Sequence, residues 1–332
     1  MITLSVIIPT RNRAKYLQGA LNSLTRQTYP PQLFEILVVD NGSSDHTKAT
    51  CDAYQNRIPN LRYCYDETPG LHVGRHVGMK MAKSDILVYA DDDIEAFTTW
   101  LAGISESFQA ANVALVGGKV LPKFEREPPP WVLRMWHKDR QGHQFIDPLS
   151  LLDLGDKVMA IDPFNIYGCN FSIRRSVLEE AEGFHPDAMP DNMIVFRGDG
   201  ETHISQFIKK KGYMALYDPK ASVFHIIPKE RLTEAYFCRR AYLQGISDSY
   251  TQIRNTSRVP SSPAQRLIWY LRLSRKKWRL YSNARRRHIE NDYYEGYCMH
   301  QHAVKADKTL YAWVTKKHYM DVRIHEPLSG GR

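Results

Sequence analysis

No stretch of this chain approaches the ~18 consecutive apolar residues that a membrane-crossing helix requires, so no such span is expected. Cysteine is scarce. The five residues Cys51, Cys64, Cys169, Cys238 and Cys298 are odd in number, widely spaced and without a C-x-x-C pair, which suits a reducing compartment and argues against a disulfide framework. The first apolar run, Met1 to Pro9, has no positively charged leader and no small-residue cleavage site; it reads as a first strand and not as a signal peptide, and the protein is expected on the cytoplasmic side. The turn after that run lacks G-x-G-x-x-G, which excludes a dinucleotide-binding dehydrogenase. Internal repeats are absent. Acids are also missing from one region: between Ala235 and Ile289 thirteen Lys and Arg face the single acid Asp248, so the net charge of +9 belongs to this stretch and the rest of the chain is slightly acidic. Such a segment can meet anionic lipid, nucleic acid or an acidic glycan; it carries no RNA-binding signature, and nucleic acid is not expected.

What is present is a globular composition, 43% apolar and 24% charged over 332 residues, long enough for one large or two ordinary domains. Short apolar strands alternate with helical patterns. Strands are expected at Ser5–Ile8, Phe34–Val39, Leu61–Tyr65 and Ile86–Tyr89, and helices at Lys15–Gln27, Cys51–Ile58 and Leu71–Ala82. This alternation predicts an α/β fold, a mostly parallel sheet flanked by helices, with ligands at the carboxyl ends of the strands. Those ends carry Pro9-Thr10-Arg11-Asn12-Arg13, Asp40-Asn41-Gly42-Ser43-Ser44-Asp45 and the triplet Asp91-Asp92-Asp93. Three adjacent carboxylates repel one another and favour a cation. In extended chain Asp91 and Asp93 share a face while Asp92 points away, an arrangement suited to a hard divalent ion held together with substrate phosphates. The alternative is an acidic turn capping a helix at Ile94–Ala96.

Further along, a helix is expected at Trp100–Ala111, one strand at Ala114–Leu121, and a surface loop around Pro128-Pro129-Pro130-Trp131. Gly198-Asp199-Gly200-Glu201 precedes a helix that ends in Lys209-Lys210-Lys211-Gly212, and strands at Tyr213–Tyr217 and Ala221–Phe224 lead to His225.

The run Val6 to Arg13, Ile36 to Asp45, Ala90 to Asp93, then Gly168-Cys169-Asn170 with Arg174, Gly183-Phe184 and Gly198 to Glu201, resembles glycosyltransferase family 2, the inverting nucleotide-sugar transferases of the GT-A fold, from about residue 3 to about residue 245. The resemblance implies a GT-A catalytic domain over residues 1–230, divided into a nucleotide-sugar-binding half (1–97) and an acceptor half (98–230), followed by a helical, basic C-terminal region (231–332). It implies donor contacts from Pro9, Thr10, Arg11, Asp40, Arg75, Asp91 and Asp92, with an ordinary solvated helix arginine as the other reading of Arg75. It implies Mn²⁺ or Mg²⁺ held by Asp93 and Asp91 with His225. The catalytic base would be the second acid of a pair at a helix start; Gly200 splits the pair here, so Glu201 and Asp199 both remain candidates, with Glu201 favoured. Trp131 and Asn170 are candidate acceptor contacts.

The function this implies is displacement of a nucleoside diphosphate, most readily UDP, from a sugar by a hydroxyl of a glycan or lipid-linked acceptor, one sugar at a time, in surface polysaccharide or glycoconjugate assembly. A sugar-phosphate nucleotidyltransferase is disfavoured because Thr10-Arg11-Asn12-Arg13 replaces a glycine-rich loop and lysine. The alternative from another class is a non-catalytic nucleotide- or glycan-binding module with a basic surface for membrane or polyanion. From Pro263 to Arg287, Leu267, Leu271, Trp278 and Tyr281 mark one face of a basic amphipathic helix, either docked on the catalytic domain or lying at the inner face of an anionic membrane.

Overall fold

The structure, a computed structural model, describes residues 2–136, 138–139, 142–259 and 283–321. Its centre is a run of strands apolar along their whole length: β1 (Leu4–Thr10), β2 (Phe34–Asp40) and, after β3 (Leu61–Tyr65), β4 (Ile86–Ala90); every residue of β1, β2 and β4 is buried. Continuous rather than alternating burial is what a sheet covered on both faces demands. Parallel pairing of β1 with β2 puts Thr10 beside Asp40, and parallel pairing of β1 with β4 brings the acidic triplet to the same edge.

The remaining strands are β5 (Ile94–Ala96), β6 (Val113–Gly117), β7 (Val120–Phe124), β8 (Gln144–Ile146), β9 (Leu151–Asp153), β10 (Met159–Ala160), β11 (Asn170–Arg174), β12 (Met214–Tyr217) and β13 (Val223–Ile227). They complete an eight-stranded sheet in the order β10-β12-β6-β11-β4-β1-β2-β3 and a separate five-stranded sheet in the order β5-β13-β7-β9-β8. The first sheet is mixed, since β11 runs antiparallel to both β4 and β6. The second sheet was not legible in the sequence. Where one strand was expected over Ala114–Leu121, the chain breaks at Gly117-Gly118 and crosses between sheets; a Cβ on Gly118 would lie 2.1 Å from the Ala221 carbonyl, so no side chain fits there. Residues Ile94–Ala96 are a strand, not a capped helix, and pair antiparallel with β13, setting Ile94 opposite His225.

The helices are α1 (Ala14–Leu24), α2 (Thr47–Tyr54), α3 (Leu71–Met81), α4 (Trp100–Ser107), α5 (Pro130–Met135), α6 (Arg175–Glu180), α7 (Thr202–Lys211), α8 (Glu234–Thr256), α9 (Asn283–Ala306) and α10 (Lys308–Val314). Of the proline run expected as loop, Pro128 and Pro129 stay outside regular structure while Pro130 begins α5, because proline is tolerated in the first helical turn. In the C-terminal region α8 and α9 cross at two glycines: a Cβ on Gly245 would lie 2.1 Å from the Tyr293 carbonyl, and one on Gly296 2.1 Å from that of Tyr242. Phe237, Ala241, Ile289 and Tyr293 join the core beneath the sheets. Most of the basic amphipathic segment Pro263–Arg287, residues 263–282, lies outside the described residues. Among the described residues no helix is long and apolar enough to cross a membrane.

Candidate active site

The acidic triplet leaves β4 into a buried, cation-rich corner. Asp92 accepts from the Thr10 hydroxyl at 2.7 Å and from Arg13 Nε at 2.7 Å, while Arg13 Nη2 reaches Asp93 at 2.6 Å. A second guanidinium, Arg231, donates to the same Asp93 oxygen at 3.1 Å. Burial raises the Asp91 and Asp92 carboxyls, Asp92 to about 7, in each case with a contribution from neighbouring Asp93. Against the same upward push of burial, the adjacent His225 first, and then Arg231 and Arg13, hold Asp93 well below the usual carboxylate range. Arg13 stood in the first motif, but its bridging of two aspartates was not legible there.

His225 lies beside Asp93 because β5 and β13 pair and Ile226 N–H donates to the Asp93 carbonyl at 2.8 Å. Its Nδ1 is 3.0 Å from the Leu149 carbonyl, which can only accept, so Nδ1 carries the proton and Nε2 the lone pair. Arg231 Nη1 donates to that lone pair at 3.1 Å. Asp93 Oδ1 sits 3.3 Å from Nε2 and, although buried, has no hydrogen-bond donor. An orphaned carboxylate oxygen next to an imidazole lone pair whose other nitrogen is fixed by a carbonyl is the donor set a divalent ion takes. Among the described residues no three acidic, histidine or cysteine side chains converge as a finished metal cluster. Phosphate oxygens of a donor are the groups that complete such a site for Mg²⁺.

Among the residues expected to meet a donor, Thr10 is buried with its hydroxyl engaged by Asp92, and Arg11 is exposed at the edge. Asp40 is buried; it caps the following turn through Ser43 N–H and accepts from the Tyr63 hydroxyl, both at 2.8 Å. Pro9 packs against α3 at Gly74, where a Cβ would come within 3.0 Å of Pro9 Cβ and 2.3 Å of Asn41 Oδ1.

Across the site, Arg75 is not a solvated helix arginine. It is 3% exposed, its guanidinium 4.9 Å from the Phe184 ring centre, with Nη1 3.2 Å from Glu201 Oε2. Glu201, immediately before α7, also accepts from Gly168 N–H at 3.2 Å; a Cβ on Gly168 would lie 2.9 Å from Glu201 Oε1 and 2.4 Å from Arg75 Nη2, so the bare backbone is what admits both charges. The charges of Arg75 and Glu201 both bear on Asp91, which ties this group to the acidic corner. Asp199 points elsewhere. Its two oxygens are engaged at 2.6 Å by His185 Nδ1 and by the Thr251 hydroxyl of α8.

Of the two expected acceptor contacts, Asn170 is enclosed and Trp131 half-buried. Asn170 is 1% exposed and its carboxamide links Trp100 Nε1 to the Ala221 carbonyl, both at 2.9 Å, which ties it into the fold. Trp131, half-buried, packs edge-on against Phe237 and beneath Arg285. Asp187 and Arg197, paired at 2.7 Å next to the Glu201 loop, carried no sequence signal.

Residues 5–181 match the model of the family described as Glycosyl transferase family 2. Among curated proteins, glycosyltransferase AglE of Haloferax volcanii is 38% identical over 117 residues, covering 35% of this chain and 38% of that protein. The poly(ribitol-phosphate) beta-N-acetylglucosaminyltransferase TarS of Staphylococcus aureus is 38% identical over 95 residues, covering 28% of this chain and 16% of TarS. The matches thus span well under half the length of these relatives. Among solved structures, mannosyltransferase PcManGT from Pyrobaculum calidifontis, in complex with GDP-Man and Mn²⁺, superposes with a TM-score of 0.52 over 94% of this chain and 85% of that one, at 16% identity.

Proposed function

The chain belongs to glycosyltransferase family 2 and has the GT-A fold, and from that premise we propose that it is an inverting, metal-dependent transferase that moves one sugar from a UDP-sugar to a hydroxyl of a glycan or lipid-linked acceptor. The observation that carries the reading is the orphaned Asp93 Oδ1 beside the His225 lone pair, facing the Arg75–Glu201 pair across Asp91. Asp93, Asp91 and His225 would hold Mn²⁺ or Mg²⁺, which when bound acts as a Lewis acid on the leaving diphosphate. Arg13 and Arg231, which hold Asp92 and Asp93, would turn to the phosphates, where bidentate contacts stabilise departing charge. Pro9, Thr10, Arg11 and Asp40 would border the nucleoside. Glu201 would take the proton of the attacking hydroxyl, with Arg75 holding its carboxylate turned to the site; Asp199, committed to His185 and Thr251, is read as support for that loop.

The relative solved with GDP-Man makes a guanosine donor the second reading. Calorimetric titration with UDP, GDP, dTDP and CMP, each with Mn²⁺ and with chelator, distinguishes them. UDP binding lost on chelation is expected; GDP binding alone would replace the donor assignment, and no metal-dependent binding would sink the catalytic reading. The basic C-terminal stretch supports a peripheral position on an anionic inner membrane face, which liposome flotation without preference for anionic lipid would refute.

A further inference from the structure

The charges around Glu201 do not balance. Arg75 is matched by Glu201, Arg197 by Asp187 at 2.7 Å, and exposed Arg239 by Asp191. Arg240 of α8 is half-buried and has no hydrogen bond or ion pair among the described residues. It lies two turns before Ser247 on the same helix face, and Ser247 accepts from Arg197 Nε at 3.2 Å while its hydroxyl holds the Gly198 carbonyl at 2.7 Å. Asp187 in turn abuts the base loop: a Cβ on Gly200 would be 3.0 Å from its Oδ2. The surplus cation therefore lies on the helix face that, through Ser247, holds Arg197 and the start of the loop that carries Glu201. Against burial, Arg197 first, then Arg75, and to a lesser degree Arg240 lower the carboxyl of Asp187, and burial together with Arg240 and Arg239 lowers Arg197 despite Asp187. On the opposite side of the site two carboxylates, Asp92 and Asp93, meet two guanidiniums, Arg13 and Arg231, and that side has its own arginines for a diphosphate.

We propose that Arg240, with the Asp187–Arg197 pair behind it, is the binding site for an anionic group of the acceptor, a phosphate or carboxylate borne close to the hydroxyl that receives the sugar. The assignment rests on the transferase reading, because it is the role of Glu201 that makes the neighbouring space the acceptor's. A half-buried guanidinium without a partner retains both donor edges for such a group, and a bidentate contact fixes the acceptor's orientation as well as its affinity. A neutral acceptor would leave that cation partly desolvated and unmatched.

The test is titration of the full chain with glucose 6-phosphate, with glucose and with inorganic phosphate, in the absence and presence of UDP and Mg²⁺, for the native protein and for Arg240→Gln and Arg240→Lys. Glucose 6-phosphate should bind with and without nucleotide, and glucose should not. Arg240→Gln should weaken glucose 6-phosphate about tenfold, the loss of one charge-assisted contact, Arg240→Lys should recover part of it, and UDP affinity should stay within twofold. Equal binding of glucose and glucose 6-phosphate, or no response to Arg240→Gln, overturns the proposal. Competition between glucose 6-phosphate and UDP, with UDP weakened in Arg240→Gln, assigns the arginine to the donor and also overturns it. Inorganic phosphate binding as tightly as glucose 6-phosphate means an adventitious anion only. Arg240-dependent binding of glucose 6-phosphate without any binding of UDP upholds the anion site and strikes the transferase reading alone.

Discussion

Glu201→Gln separates proton transfer from architecture. Glutamine keeps the length and an acceptor oxygen for Gly168 N–H, now met at 3.2 Å, but cannot take a proton. If Glu201 is the base, transfer should fall about 10²- to 10⁴-fold, equivalent to roughly 3–5 kcal/mol of barrier. The structural cost is separate and smaller. Arg75, 3% exposed, loses its partner at 3.2 Å but remains under the influence of Asp91 and Asp187, so about 1–3 kcal/mol of stability is at stake, enough to lower the unfolding temperature without unfolding the chain. The rate is read as slow hydrolysis of the UDP-sugar, in which water replaces the unknown acceptor and needs the same base; UDP affinity with Mn²⁺, read by calorimetry, should stay within threefold. Asp199→Asn is the comparator. Both its oxygens are hydrogen-bonded inside the protein, so it should cost about 3 kcal/mol of stability and less than tenfold in rate. Full hydrolysis by Glu201→Gln, with loss in folded Asp199→Asn, would refute the assignment.

Asp93→Asn and His225→Ala should each weaken UDP binding at least tenfold in Mn²⁺ and leave little difference between Mn²⁺ and chelator, as calorimetry reads it; retained metal dependence in both would move the ion elsewhere. Acid should destabilise the fold through buried histidines. Burial lowers His72 to about 3 and His203 to about 4, below the ordinary 6.5, so each is held neutral when folded. Their contribution is complete above pH ~6.5 and is lost as pH falls towards those values, about 3 kcal/mol for His203 alone. Urea midpoints measured from pH 7.5 to 4.5 should fall steeply, and less steeply in His72→Phe. Gly245→Ala should lower stability by about 1–3 kcal/mol through overpacking, since its Cβ would lie 2.1 Å from the Tyr293 carbonyl; an unchanged thermal transition would mean that α8 and α9 do not cross so closely.

The sequence by itself determined the strands β1, β2 and β4 and the position of the acidic triplet, because continuous apolar runs announce buried strands and the triplet follows the last of them directly. It also carried, in the order of its motifs, the family and the α/β class. Helix ends were less sharp: α2 starts at Thr47, four residues before the expected Cys51, where Asp45 accepts from Thr47 N–H at 3.0 Å. Only the tertiary structure decided what depends on residues distant in the chain. The antiparallel pairing of β5 with β13 sets His225 against Asp93, and the crossing at Gly118 builds the second sheet that carries them. Asn170 has the polarity of a binding residue, yet Trp100 and the Ala221 carbonyl close over its carboxamide. Glu201 and Asp199 are equivalent as letters two positions apart. Contacts from α8, through Thr251, and from His185 engage one, while the gap at Gly168 leaves the other facing Arg75 and Asp91. Local periodicity fixes which face of a strand is buried, but the group that meets a side chain is set by elements that arrive later in the chain, and for an acid or an amide that meeting decides its chemistry.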